Sequence, residues 1–443
     1  MTEVNTACPP RGVRKLSGEK SARDAFYVRH PPHHDDFVAF LPEMADTRFH
    51  QTNRCNRGPK GISGPEYSNR NMTTNSRDLL AALLASDPTA LVHWRNVLQS
   101  SRRKGDRKLV ARAEDIVRSS PDRAFTTDAS GQTTFKVGER NFHAGRFGTR
   151  SIGELRQDLL PRAWDGSVRL WALLGQDALT DIGALQAWAG TGTLFQVASQ
   201  FNCLEATGAS VVPVRAYFSD PTQGPRASIS AFPGTLLRHY GAPGLDGSRF
   251  VQTDSLQINL LHRALPPAAG TVRAGYLVGD GLNDPDYAAT ALSERFDQIQ
   301  VGVHAEVEVV LGCEWDGAVP PGCRIAQVFT STFAGGHYSP GVAITGNVRV
   351  ICRQLLRAAY LGTLLAAAGL NQRRVVLTLI GGGVFGNPHE LIWEAICSAV
   401  DEASNLGAGP MDVVVNARNI DASLVGQIKQ ATAQRNGKAV VLG

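Results

Sequence analysis

The sequence lacks the marks of a secreted, membrane-spanning or metal-built protein. Its seven cysteines are scattered, with no CxxC pair and no zinc-ligand spacing. An odd count in a chain of 443 residues argues against a disulfide framework and for reduced thiols in a cytosol-like compartment. The opening residues, MTEVNTACPPRGVRK, hold no apolar stretch of the signal-peptide kind, so no leader is expected and the chain is assigned to the cytoplasm. No run of about 18 apolar residues occurs, so no membrane span is expected. Internal repeats and long low-complexity tracts are missing too. The formal net charge is only +5, which permits anionic ligands without demanding nucleic acid.

What is present is a globular composition: 43% hydrophobic residues, 19% charged residues and 45 glycines. This suits an α/β or α+β chain long enough for a sizeable core. Residues 1–76 are rich in Pro, Asn, Arg, His and Gly and keep no period, so an irregular extension is expected there. Residues 77–130 form a helical segment, with Ser76 and Asp87 as N-caps and Pro88 in a first turn. Residues 131–443 form the main domain. It opens on a hairpin in DASGQTTFKVGERNFHAG, with short helices in IGELRQDLLPRAW, DIGALQAWAG and FPGTLLRHYG. Strands are expected in TLFQVASQF, QIQVGVHAEVEVVLG and RIAQVFTSTF. A long apolar helix covers Thr345 to Leu370. After it come a strand from Arg373 to Ile380, a glycine turn, a helix from His389 to Ser404 and a strand from Met411 to Ala417. That is a right-handed parallel βαβ unit.

The turn in LTLIGGGVFGNP leaves a strand and opens a helix. Its glycines let the backbone approach a ligand, and the helix dipole favours an anion there. The spacing is neither Walker A, since no Lys-Ser/Thr follows, nor the dinucleotide fingerprint. A phosphate cradle and a plain tight corner both fit. Ser199, Gln200 and Asn202 interrupt the apolar run FQVASQFNCLEA and need partners, either within the core or on a ligand. SDPTQGPRASIS is a rigid loop rich in amides and hydroxyls. His304, Glu306 and Glu308 alternate along VGVHAEVEVV, which would place all three on one strand face, either as a solvated face or as a site. RHPPHHDD (residues 29–36) reads as a polar segment rather than a metal site, and SRRKGDRKLVAR as a solvated basic helix face. The cysteines read as core or surface thiols, with Cys203 a small buried side chain.

Taken in order, ASQFNCLE, DPTQGP, VGVHAEVEV, RIAQVF and LTLIGGGVFGNP resemble a divergent macrodomain group, the MavL-like arginine-specific ADP-ribosyl hydrolases. HAGRFGTRSIGELR and TDIGALQA resemble its entry segments. The likeness runs from about His143 to the C-terminus. It implies a macrodomain-like α/β fold, a mixed central sheet flanked by helices, with the irregular and helical N-terminal extension added. It implies an ADP-ribose cleft in which Gly381, Gly382, Gly383, Val384, Phe385, Gly386 and Asn387 wrap the diphosphate. Thr222, Gln223, Gly224 and Pro225 would face the distal ribose, with Asn202 close to a ribose. It implies Glu306 and Glu308 as the catalytic acids, one orienting a guanidinium and the other acting at C1″. Glu205, Asp220 and Asp297 stand next in line. Ala305 and Glu306 depart from the aromatic-Asp usual in relatives, and TSTFAGGHY departs from the next strand. No metal and no cofactor is implied. The implied partners are ADP-ribose and an ADP-ribosylated protein, a ubiquitin-like protein being one candidate by resemblance. A non-catalytic ADP-ribose reader and a glycohydrolase of poly(ADP-ribose) or a free nucleotide are the alternatives.

Overall fold

The chain is seen in a computed structural model that describes residues 78–100, 106–159, 167–208, 210–244 and 246–442. The expected extension, the Ser76 cap and the His/Asp run at 29–36 lie outside the described residues. Asp78 opens helix α1 (Leu79–Ala85), its carboxylate accepting the Ala81 amide at 3.0 Å. Asp87 accepts the Thr89 amide at the start of α2 (Pro88–Ser100), with Pro88 in the first turn as expected. α3 (Arg107–Ser119) and α4 (Pro121–Ala124) follow.

α3 is amphipathic. It buries Val110, Ala113 and Val117 in an apolar cluster with Phe135, Phe142, Tyr217 and Phe232, so the helical segment shares a core with the main domain. The fully buried Glu114 clamps this junction. Its carboxylate accepts the Val214 and Arg215 amides, Arg215 Nε at 2.6 Å and the Tyr240 hydroxyl at 2.8 Å. Removing it strands several buried donors at once. Glu114→Ala is expected to cost about 3–5 kcal/mol in denaturant unfolding, with Glu114→Gln intermediate; an unchanged midpoint would show that the clamp contributes nothing.

The hairpin appears as β2 (Thr133–Val137) and β3 (Arg140–Ser151), with the short β1 (Thr126–Thr127) beside it. Then come α5 (Ile152–Leu159), β4 (Val168–Leu174), α6 (Ile182–Trp188), β5 (Thr193–Ala198), α7 (Gln223–Ser230) and α8 (Phe232–Tyr240). The two-residue strands β6 (Ala242–Pro243) and β7 (Arg249–Phe250) pair only with each other. α9 (Pro285–Glu294), β8 (Gln300–Glu308), β9 (Arg324–Thr330) and α10 (Gly346–Gly369) lead to the C-terminal unit. That unit is β10 (Arg374–Thr378), α11 (His389–Asn405), β11 (Met411–Ala417), α12 (Val425–Gln434) and β12 (Ala439–Val441). β10 stops two residues before the expected Ile380, because the Ile380 amide turns away to the Thr378 carbonyl and the Tyr360 hydroxyl.

One mixed sheet has the order β1-β2-β3-β8-β9-β5-β10-β11-β4-β12. Pairing is antiparallel from β1 to β9 and parallel from β9 to β12. β5 is buried at almost every position, as a central parallel strand should be. Its Gln196 is a satisfied core amide, donating to Ala359 O and Thr363 Oγ1 and accepting the Thr378 amide. α10 is long and apolar enough to cross a membrane by length and composition, yet 78% of that window is buried in the core.

Candidate functional site

The carboxyl ends of β9, β5, β10, β11 and β4 share one edge of the sheet, because these strands are mutually parallel. From β5 the chain proceeds toward β8 and β9; from β10 it proceeds to β11 on the other side. Such a switch in direction opens a crevice above the strand ends. The loops after β5, β9 and β10 meet there.

The glycine turn after β10 is closed by its own backbone. Gly381 (φ +75°) and Gly386 (φ +62°) take left-handed backbone, and the turn closes through Asn387 N to Gly381 O at 2.9 Å and Gly386 N to Gly383 O at 3.0 Å. Buried Asn387 braces it from below, donating to Phe333 O at 2.9 Å. His389 Nε2 donates to Gly382 O while its Nδ1 accepts the Asp421 amide. Three consecutive amides, those of Gly383, Val384 and Phe385, have no acceptor among the described residues. They stand just ahead of α11, and a Cβ built on Gly383 meets nothing within 4 Å. Phe385, Tyr276 and Tyr338 stand in mutual ring contact beside it, with centroids 4.9–6.0 Å apart.

The loop after β5 is held by its own polar groups. Ser199 donates to Leu204 O at 2.9 Å, and Gln200 Nε2 to Ala206 O at 2.7 Å and to the Tyr276 hydroxyl. Asn202 is fully buried. Its amide donates to Gln257 and its carbonyl accepts the Leu204 amide, so it shapes the turn at Cys203 (φ +61°) and presents nothing to the crevice. Cys203 is buried as expected, and burial pushes its thiol up to about 12. The turn delivers Glu205. Its carboxyl lies under the first turn of α7, so close that a Cβ on Gly224 would sit 2.8 Å from Oε2. Glu205 Oε1 is buried without a hydrogen-bond partner. Desolvation and the nearby Asp220 charge raise its pKa well above the ordinary carboxylate value, against the opposing pull of Arg238. Of the TQGP residues, Thr222 caps α7 without using its side chain, Gln223 accepts the Ile182 amide at 2.8 Å, Gly224 covers Glu205, and Pro225 is buried.

Glu306 and Glu308 lie elsewhere, and the expected common face with His304 does not form. His304 pairs with Gln327 and Val307 with Ile325, so β8 advances three residues while β9 advances two. This bulge puts Glu306 at φ +59° and brings His304 and Val307 to the same side, both against Gly234 of α8. His304 is buried and neutral, accepting from Arg238 at Nδ1 and donating from Nε2 to Ala144 O; burial and Arg238 hold its pKa well below the usual histidine value. Glu308 pairs with Arg140 at 2.8 Å and accepts the His143 amide; exposed Glu306 lies 3.9 Å from Arg324. Glu308 is opposite Arg324, at the start of β9, whereas the crevice lies beyond Thr330 at its end. Six strand rises of about 3.3 Å, roughly 20 Å, separate Glu308 from the crevice end of β9. Asp220 accepts the Thr222 amide at 2.9 Å beside Glu205, and Asp297 is exposed and paired with Arg156.

Tyr276 and Tyr338 carried no signal in the sequence, since both stand in aperiodic loops. Glu205 was visible inside ASQFNCLE, but nothing local disclosed its burial. Among the described residues no group of three or more His, Cys, Asp or Glu side chains converges on a metal site.

No protein-family model matches the sequence. No curated protein matches it either. Some solved structures show a distant likeness. The poly(ADP-ribose) glycohydrolase of Thermomonospora curvata has a TM-score of 0.39 at 16% identity, over 74% of this chain and 98% of its own. Its complex with the inhibitor ADP-HPD gives a TM-score of 0.36 at 16% identity over 74% of this chain and 98% of that one. The Deinococcus radiodurans poly(ADP-ribose) glycohydrolase in complex with ADP-ribose gives 0.35 at 13% identity over 65% of this chain and 94% of its own. Scores at this level transfer no ligand or activity to this chain.

Proposed function

We propose that the crevice binds ADP-ribose and that the chain hydrolyses the glycosidic bond at C1″ of an ADP-ribosyl group. One observation carries this: at the same sheet edge, three successive amides after β10 have no acceptor among the described residues, and Glu205, a carboxyl of raised pKa, lies past the end of adjacent β5. The amides suit a diphosphate. The three rings beside them suit a ribose or base face.

In this mechanism protonated Glu205 gives its proton to the departing atom as the C1″ bond breaks through an oxocarbenium-like state. Water adds to C1″, and its proton returns to the Glu205 carboxylate. A raised pKa favours the protonated form that a general acid needs. Mono-ADP-ribosyl-arginine on a protein is the substrate assigned first, on the strength of the resemblance in ASQFNCLE, DPTQGP and LTLIGGGVFGNP.

Incubation of the full chain with arginine-, glutamate- and serine-linked ADP-ribosyl peptides and with poly(ADP-ribose), followed by detection of released ADP-ribose, tests both levels. Release from the arginine linkage alone supports the full assignment. Release from another substrate keeps the hydrolase and replaces its specificity. Binding of ADP-ribose without release from any substrate leaves a reader.

A further inference from the structure

We infer that Arg238 is a positioning residue for the Glu205 carboxyl: it holds the turn that carries this side chain and stabilises its ionised form. The inference rests on the reading of Glu205 as the acid. Arg238 lies on α8 and is fully buried. Each nitrogen of its guanidinium is used. Nε donates to Cys203 O at 2.9 Å, Nη1 to His304 Nδ1 at 2.9 Å and Nη2 to Thr235 Oγ1 at 3.0 Å. His304 can accept because its other nitrogen, Nε2, donates to Ala144 O. Arg238 Cζ lies over the Phe329 ring, 3.6 Å from its centroid. Cys203, whose carbonyl takes the Nε bond, has left-handed backbone and stands two residues before Glu205. A second tie fixes the same junction: Gln252 Nε2 donates to Asn202 O at 3.0 Å and to Arg238 O at 2.9 Å. The turn that ends in Glu205 is therefore fastened to α8 at Arg238.

Those bonds leave the charge unmatched. All three acceptors are neutral, and no carboxylate accepts from Arg238 among the described residues. A fully buried cation without a carboxylate is costly. The ionisable groups within its electrostatic reach are Cys203, Tyr217, Glu205 and His304. Burial pushes the Cys203 thiol up to about 12, raises the Tyr217 phenol above its ordinary value and keeps His304 neutral. Glu205 is the one carboxyl of this set. From its side, the Asp220 charge opposes ionisation and the Arg238 charge favours it. When Glu205 gives up its proton, a buried carboxylate is left behind, and the compensating cation is already in place.

Titration of Glu205 in the full chain is the test, because it needs no substrate. Carbon NMR of protein labelled at the glutamate carboxyls follows it, and Glu205→Gln identifies the signal. Arg238→Gln deletes the charge, so Glu205 should titrate at least about one pH unit above wild type. Arg238→Lys should fall between the two, because a buried ammonium gives up its proton more readily than a guanidinium. It also serves as the readout if Arg238→Gln does not fold. With an ADP-ribosyl substrate, kcat should fall in both variants while ADP-ribose affinity holds, and the alkaline decline of turnover should move upward with the titration. A Glu205 titration unchanged in either folded variant overturns the inference. An upward shift in a protein whose wild type releases no ADP-ribose from any substrate supports it and removes only the hydrolase assignment.

Discussion

Gly383→Val is expected to abolish ADP-ribose binding while leaving the fold intact. The position is unusual among the glycines of the turn. Its φ is not left-handed, and a Cβ built on it meets nothing within 4 Å. The native chain can therefore accept a side chain there, and stability should change by no more than about 0.5 kcal/mol. That open space adjoins the turn whose Gly383, Val384 and Phe385 amides have no acceptor among the described residues. An isopropyl group would occupy it and keep phosphate oxygens beyond hydrogen-bond distance. Loss of the charge-assisted contacts should weaken binding by at least about 100-fold, or roughly 2.7 kcal/mol. Gly381→Val makes the contrast. Gly381 sits at φ +75°, and its Cβ would lie 2.6 Å from Thr332 Cγ2 and 2.7 Å from Asn387 Nδ2. That variant should lose binding and stability together, by about 1–3 kcal/mol of backbone strain before the clash is counted. Calorimetry with ADP-ribose and thermal melts on both variants separate the two cases. Full affinity in Gly383→Val would remove the cradle.

The parts of this site that could be read from sequence are those built by neighbours in the chain. The βαβ unit was legible because a buried run, a glycine turn and a 3.6-residue period follow one another without interruption, and β11 (Met411–Ala417) has the expected bounds. The strand–turn–helix order on which the phosphate-cradle proposal rests was legible for the same reason. The bulge in β8 was not. VGVHAEVEV contains no glycine near Glu306, and a non-glycine residue at φ +59° contradicts the alternation from which a shared face was inferred. The two candidate acids consequently stand at the wrong edge for a ligand held by the glycine turn. Asn202 illustrates a different limit: a polar residue at a strand end can face a ligand or seal the core, and the partner that decides, Gln257, is 55 residues away.

Glu205 is subject to the same limit, since Gly224, Asp220 and Arg238 create its environment from beyond its own loop. Glu205→Gln is expected to lower turnover about 10²–10⁴-fold, the usual contribution of a positioned acid, while ADP-ribose affinity changes only a few-fold. The contrast follows from role: the carboxyl acts on the breaking bond and not on the diphosphate. Glu308→Gln, at the opposite sheet edge, should stay within a few-fold of wild type in turnover. The pH dependence carries a second signature. With its pKa raised, Glu205 holds a proton in the native state at pH values where the unfolded chain has released it. The native state then binds more protons than the unfolded one, so wild-type stability must fall as pH rises from the ordinary carboxylate value through the native pKa. Glu205→Gln cannot lose that proton. It should therefore melt higher than wild type at alkaline pH, with the gap closing toward about pH 4. Turnover by wild type should decline over the same window as the acid form is depleted, and the residual rate of Glu205→Gln should not. Single-turnover kinetics on an ADP-ribosyl-arginine substrate and melts across that range decide the matter. A variant with wild-type turnover, or one whose stability tracks wild type at every pH, removes Glu205 from the chemistry and leaves Asp220 beside it as the next candidate acid.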